Sequence, residues 1–129
     1  MPATIGAAEV SVGAFRAIVQ QVFDDGHAVL GQLDSGAIGK AGLPALTHEM
    51  LTNPLERLLG AHGIGKYATA DALSARITYA GVRPLAIDEA ISAVRFLRAS
   101  SRPAEQYAAH GAEDIRYALD QLRNARLHA

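Results

Sequence analysis

The sequence predicts an all-α fold, a compact bundle of five or six helices, and three observations lead there. Half of the 129 residues are hydrophobic, which separates the chain from disordered sequences. The apolar half holds only three Phe, four Tyr and no Trp, so its core is built of small aliphatic side chains, which pack best between closely spaced helices. Apolar residues also recur at spacings of three and four, in segments of helical length set off by glycines and prolines. The length fits a single domain, residues 1–129, against the usual size of about 100–200 residues.

Residues 1–10 are expected to form a flexible N-terminus. Val12, Phe15, Val19 and Val22, with Ile18 and Phe23 widening the stripe, predict a helix over 12–25. Ser11 is the expected N-cap and Gly26 the expected stop. Residues 27–33 read either as a continuation of that helix or as a short strand. Residues 34–44 read as a Gly-rich loop, with Gly36, Gly39 and Gly42 adding backbone freedom and only Ile38 and Leu43 as apolar side chains of any size. Such a loop is expected to be loosely held in the free monomer, either as a spacer between the first helix and the remaining bundle or as a segment ordered by a partner.

Leu43, Leu46, Met50 and Leu51 then predict a short helix. Asn53 and Pro54 read as a cap and first helical residue that restart the chain, with Leu55, Leu58 and Leu59 as the next apolar face. Tyr67, Ala70, Leu73 and Ile77 predict a helix from Tyr67 to Ala80, stopped by Gly81. A strand over 76–87 is the rival reading, since Ile77, Tyr79 and Val82 favour strands, but Pro84 in its middle speaks against it. Pro84 opens a helix to about Ala99 on Ile87, Ile91, Val94 and Leu97. Ser101 and Pro103 start the last helix, carried by Ile115, Leu119 and Leu122, with Gly111 expected to bend or split it.

Composition excludes several chemistries. With no cysteine there is no disulfide, thiolate zinc site, iron–sulfur cluster or catalytic thiol. The histidines at 27, 48, 62, 110 and 128 include no i, i+4 pair, so no metal site and no cofactor are expected. Met1 to Val10 carries no Lys or Arg, and no run approaches the roughly 20 apolar residues of a membrane span, so a cytoplasmic protein is expected.

Residues Gly60 to Lys66 read GAHGIGK and match the first seven positions of the phosphate-binding loop, G-x-x-x-x-G-K. Tyr67 stands where a Mg²⁺-holding Ser or Thr belongs, and a helix rather than a buried strand precedes the loop, so a nucleoside triphosphatase is not expected. Leu58 and Leu59, then Gly63-Ile64-Gly65, then a helix bearing Leu73 and Ile77, resemble the helix-hairpin-helix family over about 58–77. The resemblance implies that the turn's backbone N–H groups meet a nucleic-acid phosphate, with Gly63, Gly65 and Lys66 beside it. Ala61, His62 and Thr69 depart from that family's pattern, and the same glycines also suit a plain interhelical turn. The pair Tyr67–Ala80 and Leu85–Ala99 has helix-turn-helix spacing, but Asp88 and Glu89 would face phosphates at the reading end.

Overall charge is balanced, 12 basic against 13 acidic residues for a net of −1, so no global field favours nucleic acid or a membrane. The distribution is uneven, with a net of −3 over 1–53 and +2 over 54–129. Arg95, Arg98 and Arg102 share one helix face, and Arg116, Arg123 and Arg126 one side of the last helix; either could meet phosphates or an acidic partner.

The functional expectation is a non-enzymatic helical protein in an adaptor, regulatory or assembly role. It binds other protein chains and forms a homo-oligomer, with no catalytic residues. Leu43, Leu46, Met50, Ile87, Ile91 and Val94 are the candidate contact residues. The alternative is nucleic-acid binding through Gly63, Gly65 and Lys66 with Arg95, Arg98 and Arg102. A further alternative is a small helical enzyme with a pocket around His62 or His48 and an orienting carboxylate.

Overall fold

The structure is a computed structural model that describes residues 8–60, 77–100 and 111–129. A short strand β1 (Ala8–Ser11) runs into a long helix α1 (Val12–Ser35). A second helical stretch follows, in which α2 (Leu43–Thr47), a π-helical turn (His48–Thr52) and α3 (Asn53–Leu59) are continuous. Strand β2 (Ile77–Ala80) then leads into α4 (Pro84–Ser100), and α5 (Gly111–His128) closes the fold. The described residues are thus mainly helical, as the small aliphatic composition predicts.

The N-terminus of α1 forms as its sequence indicates. Ser11 has extended backbone and its Oγ accepts from the Ala14 N–H at 3.1 Å, satisfying one of the orphan donors of the first turn. The other end does not follow the expectation. Gly26 does not stop the helix but lies inside it, fully packed, and α1 continues through 27–33 to end at Gly36. Gly36 adopts φ 79°, and its N–H donates to the Leu33 carbonyl at 3.2 Å. That left-handed cap is a conformation glycine adopts at no steric cost. A connection over 36–42 follows. In it the Ile38 N–H donates to the Gln32 carbonyl at 3.2 Å and the Ile38 side chain packs partly on the core, while Lys40 is exposed.

Asn53 is not a cap. Its backbone is helical, and its N–H donates to the His48 carbonyl five residues back. Pro54 explains the π-turn, because it has no N–H to give and its ring would crowd the carbonyl four residues earlier in a regular α-helix. Widening the turn lets the chain pass the proline without breaking. Residues 43–59 therefore present Leu43, Leu51, Leu55, Leu58 and Leu59 to one interior.

Ile77 to Ala80, expected to end a helix, is a strand. It pairs in parallel with β1, Ala8 opposite Ile77 through Ser11 opposite Ala80, so Ala8 to Val10 are held rather than loose. Pro84 is no obstacle, because the strand ends at Ala80 and the proline opens α4. Gly81 turns the chain between them with φ 81°, and a Cβ there would come within 3.2 Å of Val12 Cγ2. The helix-turn-helix reading falls with this correction, since the residues before Gly81 are extended. Gly111 begins α5, and neither bends nor splits the part of the last helix that is described.

The core joins Phe15, Val19, Val22 and Val29 of α1 to Leu51, Leu55 and Leu59, to Ala86, Ile87, Ala90, Ile91, Val94 and Leu97 of α4, and to Ile115, Ala118, Leu122 and Ala125 of α5. Alanines on both α4 and α5 let these two helices pack along their lengths. Glu56 on α3 accepts from Arg98 Nε on α4 at 2.8 Å, and His128 Nδ1 lies 2.6 Å from Glu89 Oε1, tying the C-terminus to the start of α4.

Candidate functional site

Helices α1 and α5 frame a surface groove. They run antiparallel: Arg126 Nη1 donates to Gln20 Oε1 at 2.6 Å, and nearly two helical turns along, Gly26 receives Leu119. Contact is closest at Gly26, where a Cβ would stand 2.4 Å from Leu119 Cδ2. Beyond it the side chains part, and nothing lies within 4 Å of a Cβ built on Gly31. The result is a groove of about 560 Å³ along the α1–α5 seam.

Its floor is apolar, from Phe23 and Leu30 of α1 and Leu119 of α5; its rim is polar, with His27 and the carboxylate of Asp34 on one side and the charged Arg116, Asp120 and Arg123 on the other. The ring of His27 meets Phe23 edge-on at a centroid distance of 4.7 Å, which fixes one wall. Arg123 Nη2 reaches Asp120 Oδ1 at 3.5 Å, an exposed i, i+3 pair of little strength. Among the described residues neither Asp34 nor Arg116 has an ion-pair or hydrogen-bond partner for its side chain.

Arg116 and Asp120 also border a second, shallower depression with Ala112, Glu113 and Tyr117. There the Tyr117 hydroxyl donates to Glu113 Oε1 at 3.1 Å, and its ring leans on Phe96 at 5.4 Å between centroids. The bond to Glu113, and then the negative charge of that carboxylate, raise the phenol's pKa above its ordinary 10.0.

The sequence-based candidates divide into three groups. Leu43, Ile87, Ile91 and Val94 are buried in this chain's own core, and Leu46 and Met50 pack against it. The leucine stripes that suggested an intermolecular face are therefore filled from within. Gly63, Gly65, Lys66, Arg102 and His62 lie outside the described residues, as does most of the segment resembling the helix-hairpin-helix family. Of the remaining arginines, Arg95 is exposed and Arg98 is held by Glu56. His48 is exposed on the π-turn. Among the described residues no group of three or more His, Asp or Glu side chains is placed to hold a metal ion, and no helix is long and apolar enough to cross a membrane.

Sequence reasoning found the α5 half of the groove, through Arg116 and Arg123, and missed the α1 half. Phe23, His27, Leu30 and Asp34 recur at helical spacing and form one face, but ending the helix at Gly26 cuts that face in two. The chain matches no protein-family model, no curated protein and no solved structure.

Proposed function

We propose that this chain is a small helical binding protein that joins protein chains, its own copy included, in an adaptor or assembly role rather than in catalysis. The observation that carries this reading is the α1–α5 groove, an apolar floor of Phe23, Leu30 and Leu119 inside a rim of both charge signs. Protein interfaces have that anatomy, with an apolar centre that excludes water and a polar rim that sets orientation. Leu85, Tyr117 and Leu127 add apolar surface, each about half exposed or more. The connection at 36–42 belongs to the same reading as an exposed contact segment, with Lys40 standing out beside the partly packed Ile38. A cytoplasmic setting suits a chain with no cysteine, which gains nothing from an oxidising compartment.

Sedimentation velocity across the micromolar range tests the proposal. The expected result is a mean mass that rises with concentration above that of a 13.6 kDa monomer. A strict monomer at several hundred micromolar overturns self-association.

A further inference from the structure

Resting on that reading, we infer that the groove is a twofold interface in which a second copy of the chain lies antiparallel across α1 and α5. The warrant is the order of charges along the seam. With Gln20 beside Arg126 and Gly26 beside Leu119, the numbering of α5 falls as that of α1 rises. Travelling the groove in that direction, the rim presents Arg123, then Asp120, then Arg116, all on α5, and last Asp34 near the end of α1. Successive charges are separated by about one helical turn, roughly 5 Å. The sequence of signs is plus, minus, plus, minus.

Such a column is self-complementary. A twofold axis lying in the interface, across the middle of the groove, reverses the order, so that every plus comes level with a minus, whereas a parallel copy would set like level with like. This rotation keeps the α5 side of one copy over the α5 side of the other, so Arg116 of each copy faces Asp120 of the other directly. Asp34, on the α1 side at one end, comes level with Arg123 of the other copy, which reaches it across the seam. Closed isologous dimers demand this reciprocity, in which one residue meets a second and the second meets the first. Asp34 and Arg116, which have no partner within the described residues, gain one each. Phe23 of each copy, beside the buried Leu30 and Leu119, is then covered by the other copy and loses its remaining exposure to water.

Charge reversal tests this. Asp34→Arg alone, or Arg123→Asp alone, sets like charges together twice per dimer and is expected to weaken self-association by about tenfold or more. The two single variants mixed in equal amounts should recover a mixed dimer, because each brings the charge the other lacks at both contacts. The double variant Asp34→Arg/Arg123→Asp should recover a dimer with itself and none with the wild type. Both positions are exposed on their helices, and far-ultraviolet circular dichroism confirms that each variant is folded. If the wild type self-associates and the single variants do so equally well, the groove is not the interface, although the binding role stands. If each single variant weakens the dimer and mixing restores nothing, the reciprocal pairing is wrong. A wild type that never dimerises overturns both.

Discussion

Leu119 occupies the space where a side chain on Gly26 would be, its Cδ2 only 2.4 Å from an ideal Cβ. The glycine therefore serves close helix approach rather than helix termination, and Leu119, in filling the notch, becomes the floor of the groove. Gly26→Ala is expected to be nearly neutral, within about 1 kcal/mol. Alanine gains about that much as a helix residue, and the clashing atom is a methyl that can rotate toward the groove. Gly26→Val leaves no such escape and should cost about 1–3 kcal/mol in urea unfolding. A valine variant as stable as the wild type would show that the two helices are not in tight contact there.

Thr47 is fully buried, and its Oγ1 has no hydrogen-bond partner. Thr52, across the π-turn, instead donates to the Thr47 carbonyl at 3.5 Å. Thr47→Val keeps the shape and removes the unsatisfied hydroxyl, so it should stabilise the protein by about 1 kcal/mol. Thr52→Val should give no comparable gain, because it also loses a bond. Chemical denaturation of the two variants side by side checks the ordering, and a destabilised Thr47→Val would contradict it.

The Glu56–Arg98 pair joins α3 to α4 with the carboxylate largely buried. Glu56→Gln keeps size and hydrogen-bonding capacity but removes the charge, and is expected to cost about 1 kcal/mol. Part of that cost should persist in molar salt, since a mostly buried carboxylate is screened less than a surface one. A variant whose stability equals the wild type at all salt concentrations would reduce this contact to ornament.

Tyr117 should ionise above the ordinary range of a tyrosine. Its folded-state pKa is raised, so the folded chain holds this proton where the unfolded chain has begun to lose it. The contribution to stability is complete below pH 10 and fades as the pH rises through the folded-state value. Absorbance titration of Glu113→Gln should show the Tyr117 transition moved down, while Tyr117→Phe deletes it. An unchanged titration in Glu113→Gln would show that the hydroxyl is bonded elsewhere.

Local chemistry in the sequence determined the helical class, the Ser11 cap, the helix opened by Pro84 and the basic side of α5. Each depends on neighbours within a turn or so, which is the reach of capping, proline geometry and helical periodicity. Two glycines and a strand lay beyond that reach. Gly26 has the composition of a stop, yet the helix runs through it because Leu119, far along the chain, supplies packing that outweighs the propensity cost. Ile77 to Ala80 fits the end of a helical pattern, yet extends because β1 offers a parallel partner more than sixty residues away. The buried destination of Leu43, Ile87, Ile91 and Val94 is likewise non-local, since an apolar stripe reads the same whether its own chain or another one covers it. The groove depends on both kinds of information: its charges are written along two helices, and only the packing at Gly26 brings them to one seam.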